Sequence, residues 1–353
     1  FSELYGGTTT ALAFKAEGTN FTGSLLIGHS TTGTLSSAHY NTGLGIGALD
    51  ALTSGDYNAA FGYNAGTAIT TGSQNVLFGP SAGAALQGGT NNVAIGFEAL
   101  LTEDGHGKNV AVGFQSLRNQ NAGADAYNVA IGHEAGENVS TGIRNTIVGG
   151  LAGDALTTGA NNVAIGYNAL GTEDAGNYNV AIGDNALRDQ DAGNAYNIAV
   201  GYAAGKDITS GTNNTIVGGL AGDAITTGAN NTVIGKNAMT SADGSESQNV
   251  AIGVNALEDM NSDENNQNVA VGYRTMANLT TGAQNTAIGN EAMGTGVTTG
   301  DKNTTVGHNA GLNITDGANN VLVGSEAGDA VTGGDRNVAV GHGALSTEDT
   351  GSR

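Results

Sequence analysis

The chain has no cysteine, no tryptophan and a single proline, Pro80, in 353 residues. The missing thiols exclude disulfides and thiolate-held metal. Aromatic residues make up 5% of the chain and charged residues 12%, so the bulky groups that fill a wide core are scarce. Any core must be thin and repeated. Basic residues are few as well: 11 Lys and Arg stand against 32 Asp and Glu, a formal charge of −21. That balance argues against a nucleic-acid partner and against an anionic membrane surface. No run is long and apolar enough to cross a bilayer. Glycine is the abundant residue, with 60 copies, and its placement is periodic.

The period is set by a short stretch, clearest at Asn162-Val163-Ala164-Ile165-Gly166 and repeated at Asn92, Asn128 and Asn179. Weaker copies bring the total to 19, led by Ser24 and then by asparagines from Asn41 to Asn337, each 17 to 19 positions after the last. A fixed short period marks a repeat architecture in which each unit meets only its neighbours. The expected fold is all-β: a parallel β-solenoid of about 19 coils of 17–19 residues. Residues 1–23, which carry Phe1, Tyr5, Phe14, Lys15 and Phe21, fall outside the register and read as an N-terminal cap or joint. Residues 24–353 form the array. The next lead residue would follow Arg353, so the array is expected to continue.

Positions are counted from the lead residue. Position +4 is Gly in all 19 units and +7 is Ala in 16; Thr31, Ser116 and Thr275 are the exceptions. Gly96, Gly113, Gly132, Gly149, Gly166 and Gly183 are thus read as turn glycines that end a strand spanning +1 to +3. A second strand is expected over about +7 to +11. Position +8 trades with +11: beside Gly83, Gly153 and Gly222 stand Leu86, Leu156 and Ile225, whereas Leu100, Leu117, Leu170 and Leu187 accompany Glu103, Gln120, Glu173 and Gln190. A close-packed interior of fixed volume requires such a trade. Thr102-Glu103-Asp104 recurs four coils on as Thr172-Glu173-Asp174, which suggests duplication of a four-coil block.

Position +3 is apolar in every unit and is expected to face the coil interior together with +1. Position +2 is apolar almost everywhere too, as at Ala94, Ile147 and Leu322. A strand apolar on both faces is covered on both faces. The second cover is expected to be another copy of the chain. At ~4.8 Å per stacked strand the array would be a rod ~90 Å long, enough for more than a standard interface.

The motif Asn-Val-Ala-Ile-Gly-x-x-Ala resembles the repeat of YadA-type trimeric autotransporter adhesin heads, and is similar to repeats of phage tail fibres and bacterial surface fibres. The resemblance covers residues 24–353. It implies a left-handed β-roll assembled as a homotrimer. The coil here is longer than in that family, and +7 is Ala rather than Ser. A three-sided hexapeptide β-helix is the second choice of fold.

The asparagine column (Asn92, Asn109, Asn128, Asn145, Asn162, Asn179, Asn197, Asn214, Asn231) is read as a structural ladder of stacked amides. Rings recur at +5 as His29, Tyr63, Phe97, Phe114, His133, Tyr167, Tyr202, Tyr273, His308 and His342, and at −1 as Tyr40, Tyr57, Tyr127, Tyr178 and Tyr196. They suit the rim of an oligomer interface, or platforms on which sugars stack. The acidic loops (Glu103-Asp104, Glu173-Asp174, Asp189 with Asp191, Glu258-Asp259, Asp263-Glu264, Glu348-Asp349) are read as a solvated face, with calcium binding the alternative. Thr-Thr-Gly turns such as Thr157-Thr158 raise ice binding as a third reading. No catalytic constellation stands out, so no enzyme activity and no cofactor are expected. Gly43-Leu44-Gly45-Ile46-Gly47 is a repeat junction without the β-α-β setting of a nucleotide loop. The function these readings favour is a stiff, extracellular, structural or adhesive fibre, self-associating and able to join end to end. The alternative is a phage tail-fibre shaft or adhesin head that grips cell-surface glycans. The expected location is the cell surface or a virion.

Overall fold

A computed structural model describes residues 14–351, apart from residues 19, 29–32, 243, 263–265, 297 and 348–349. The readings placed on Phe1, Tyr5, His29, Thr31, Asp263-Glu264, Glu348-Asp349 and Arg353 lie outside the described residues. The described chain is all-β. Strand β1 (Phe14–Gly18) pairs antiparallel with β2 (Phe21–Ile27), Phe14 opposite Ile27. From β2 onward, 19 parallel strands build a β-solenoid of about 18 turns. Each later coil supplies one strand of three residues, from Thr42–Leu44 to Val338–Val340. The chain divides into two units, Phe1–Ala164 and Ile165–Arg353. Pairing is in register in both, Val93 opposite Val110 in the first and Thr215 opposite Thr232 in the second.

The strands stop at three residues because the backbone leaves the β region on either side. The residue before the lead position is left-handed, as at Tyr57 (φ 59°) and Tyr178 (φ 64°), and the +4 glycine sits near φ +140°. Only glycine adopts that second conformation without strain. The glycine answers a second constraint as well. A Cβ on Gly113 would lie 2.1 Å from the carbonyl oxygen of Gly132 in the next coil.

Among the described residues the expected second strand is absent. Positions +5 to +8 form turns. Positive φ at +6 and +8, as at Glu98 (53°) and Leu100 (52°), breaks the extended geometry a strand needs. Coil-to-coil hydrogen bonding continues without it. Leu100 N donates to Ser116 O at 3.0 Å and Thr102 N to Arg118 O at 3.1 Å, while Glu98 N donates to Pro80 O at 3.0 Å. Backbone groups that a strand would have paired are thereby satisfied through a different fold of the chain.

The face assignment of the one strand is also reversed. Position +2 points inward: Ala94, Ala111, Ile147, Ile216 and Leu322 are fully buried. Positions +1 and +3 point outward, so Val93 is half-buried and Ile95 exposed. The interior is too narrow for large residues in every layer, which is why the smaller of the two apolar positions lines it. Alanine at +7, for example Ala65 and Ala99, is buried beside it.

Large plugs enter at +8 or +11. A Cβ on Gly83 would lie 2.8 Å from both Leu77 Cδ2 and Leu86 Cδ1, so a side chain there and Leu86 would contend for one volume. In the second unit the same crowding meets Gly222, 2.9 Å from Ile225 Cδ1 and 3.3 Å from Ile216 Cδ1. Where +8 is Leu instead, as at Leu117 and Leu187, that leucine is the buried plug.

Candidate functional site

The asparagine column lies at the inner edge of each strand and is buried throughout. In the first unit Asn58 donates its backbone N–H (2.9 Å) and its Nδ2 (3.0 Å) to Asn41 Oδ1, and Nδ2 also donates to Gly72 O at 2.9 Å. The backbone N–H groups of Asn92, Asn109, Asn128, Asn145 and Asn162 each donate to the Oδ1 of the preceding lead asparagine, at 2.8–3.1 Å. In the second unit Asn197 donates likewise to Asn179 Oδ1 at 3.1 Å, Asn214 to Asn197 at 2.9 Å and Asn231 to Asn214 at 3.0 Å. An amide both accepts and donates, so one residue type can satisfy the coil before it and the turn beside it.

Two of the acidic loops differ from a solvated face. Asp104 and Asp174 are exposed, but Glu103 and Glu173 turn into the coil and are fully buried. They occupy +11, the register of the apolar plugs, in coils whose plug is already Leu100 or Leu170. Glu173 Oε1 accepts N–H bonds from Gly176 (2.6 Å) and Ala175 (3.3 Å), and Glu103 Oε1 accepts one from His106 (3.1 Å). Burial pushes the Glu173 carboxyl up to about 7 against those N–H donors, and burial also raises Glu103. At the same register Gln120 Oε1 accepts from Asn128 Nδ2 at 2.7 Å, and Gln190 Oε1 from Asn197 Nδ2 at 2.5 Å. Glu246 is buried too, accepting from Ser262 N at 2.9 Å and Gly244 N at 3.1 Å. These inward polar groups organise the loops after +11. The signal that could have revealed them is their alternation with Leu86, Leu156 and Ile225 at a core register.

The outer surface of the strand carries a row of exposed apolar side chains in each unit. In the first, Leu44, Val76, Phe78, Ile95 and Ile131 are exposed; in the second, Ile198, Val217, Ile234, Ile288, Val321, Val338 and Val340 are. All of them stand at +1 or +3, so they line up coil over coil on one face. Scattered exposed aliphatics need no explanation, but a contiguous stripe of them does.

The ring positions flank this stripe. Tyr63, Phe97, Phe114, Tyr167, Tyr202 and Tyr273 are exposed, as are His133, His308 and His342. In the first unit three consecutive coils bring their rings together: Phe97 and Phe114 stack at 5.4 Å and Phe114 and His133 at 5.0 Å, within 13° of parallel. At −1, Tyr40 stacks on Tyr57 at 4.9 Å and Tyr178 on Tyr196 at 5.1 Å. No helix of the described residues is long and apolar enough to cross a membrane. No family model, curated protein or solved structure matches the chain.

Proposed function

We propose that this protein is a structural and adhesive element of an extracellular fibre, and that copies of it associate along the outer stripe of +1 and +3 residues. The observation that carries the reading is the stripe itself. The solenoid encloses +2 within its own coil and leaves a second apolar face of the same strands exposed. Burying that face against an identical face removes apolar surface from water on both partners, at about 25 cal/mol per Å². The resemblance to YadA-type heads points to three copies about one axis and to a cell surface or virion as the setting. The absence of cysteine makes the test clean. Introducing Ile131→Cys places a thiol in the stripe; Gly193→Cys places one on a loop where a Cβ meets nothing within 4 Å. Under oxidation the Ile131→Cys chain is expected to form inter-chain disulfides rapidly and the Gly193→Cys chain slowly. Equal rates for the two would refute packing along the stripe.

The second reading, glycan capture by an adhesin head or tail-fibre shaft, is favoured by one observation, the exposed Phe97–Phe114–His133 stack. Aromatic faces suit the apolar faces of sugar rings, as they suit other apolar surfaces. Phe97→Ala with Phe114→Ala is then expected to abolish signal on a glycan array that the unaltered chain produces. An array blank for the unaltered chain removes this reading.

A further inference from the structure

The Glu173 loop holds chemistry that a structural role leaves unused. One carboxylate oxygen from each of Glu173, Asp174 and Asp191 lies within 4.8 Å of the others. Exposed acidic groups often gather without consequence, but Glu173 is fully buried, and its Oε2 accepts no hydrogen bond. The loop folds tightly over it: a Cβ on Gly176 would lie 2.1 Å from Oε2. Asp191 comes from the next coil, where its backbone N–H is fixed to Thr209 O at 2.8 Å. A buried carboxyl with one oxygen unpaired, gathered with two exposed carboxylates, is a costly arrangement for acids alone. Oxygens bound at 2.3–2.6 Å to one calcium ion are at most about 5 Å apart, which these are.

We propose that Glu173, Asp174 and Asp191 bind a calcium ion and thereby tie two successive coils together. Magnesium fits less well, because it demands near-ideal octahedral geometry and gives up water reluctantly, whereas these ligands come from two loops and only one is buried. An internal comparison sharpens the assignment. The related loop four coils earlier keeps Glu103 and Asp104, but Asn121 follows Gln120 where Asp191 follows Gln190. There His106 completes the group instead, a nitrogen donor that suits borderline ions rather than calcium.

The test is a calorimetric titration of the full chain with calcium chloride, alongside Asp191→Asn, Glu173→Gln and Asp259→Asn. Asp191 and Asp259 are both exposed, so neither change empties the core. Asp191→Asn also reproduces the Gln-Asn pair present at Gln120-Asn121. The expected result is one saturable site with Kd of about 10⁻⁴ to 10⁻³ M, as for extracellular calcium modules. It is weakened at least tenfold in Asp191→Asn and in Glu173→Gln, and unchanged in Asp259→Asn. Calcium should raise the melting temperature of the unaltered chain and not that of Asp191→Asn. No saturable heat across that range overturns the site. So does binding that survives Asp191→Asn, or that Asp259→Asn weakens equally, since either means diffuse attraction to an acidic chain.

Discussion

Replacing Gly218 with alanine is expected to destabilise the solenoid by about 4 kcal/mol, while the same change at its neighbour Gly219 is expected to move stability by less than about 0.5 kcal/mol. The two residues are adjacent and both lack a side chain, so composition alone treats them alike. Gly218 occupies +4 with φ +140°, a region L-residues avoid, and a Cβ there would lie 2.5 Å from the carbonyl oxygen of Gly235. The obstruction is backbone, not the end of a flexible side chain. Relief therefore requires the coils to part where Val217 pairs with Ile234. At Gly219 a Cβ meets nothing within 4 Å. Thermal and denaturant melts of the two variants followed by far-UV circular dichroism decide the matter. A Gly218→Ala protein as stable as Gly219→Ala would show that the +4 glycines are not what sets the coil spacing.

The second large effect concerns assembly. Placing lysine at both Ile95 and Ile131 is expected to leave the coils folded and to reduce the particle to a single chain. Both side chains are exposed in the isolated solenoid, so a charge there meets water and costs the monomer little. In a stripe-to-stripe interface each lysine would be buried without a partner, at about 3–5 kcal/mol apiece. A loss of about 1.4 kcal/mol is tenfold in a dissociation constant, so two lysines per chain overwhelm an interface of ordinary strength. Light scattering reads the mass and circular dichroism reads the fold. A variant that keeps both the fold and the mass of the unaltered assembly would place the contact elsewhere.

The repeat, its phase, the strand at +1 to +3 and the glycine that ends it were all legible in the sequence, because a residue needed for its conformation recurs at a fixed interval. The facing of the strand was not. Both alternations are apolar, and the unbroken apolar character of +3 does not decide which face turns inward when the interior is narrow. Here Ala94, Ala111 and Ala130 face inward and Ile95, Val112 and Ile131 outward. The discriminating signal was present, though weak. Position +2 enlarges to Leu77, Ile147, Ile216 or Leu322 in coils where +8 shrinks to Gly83, Gly153, Gly222 or Gly328. Two positions that trade volume share one cavity. The second strand expected over +7 to +11 fails for a related reason. Apolar residues at +7, +8 and +11 suggest an extended segment, but left-handed residues at +6 and +8 fold the same residues into turns. Glu103 and Glu173 read as solvated because acids usually are. Their register was the evidence against it.

The measurement that bears most directly on the central claim is the mass of the unaltered chain in solution, by light scattering across a range of concentrations. A single chain weighs 34.8 kDa. Association along the outer stripe predicts a discrete multiple of that mass, three by the likeness to YadA-type heads, persisting on dilution. A particle of 34.8 kDa at every concentration, folded and soluble, would contradict it.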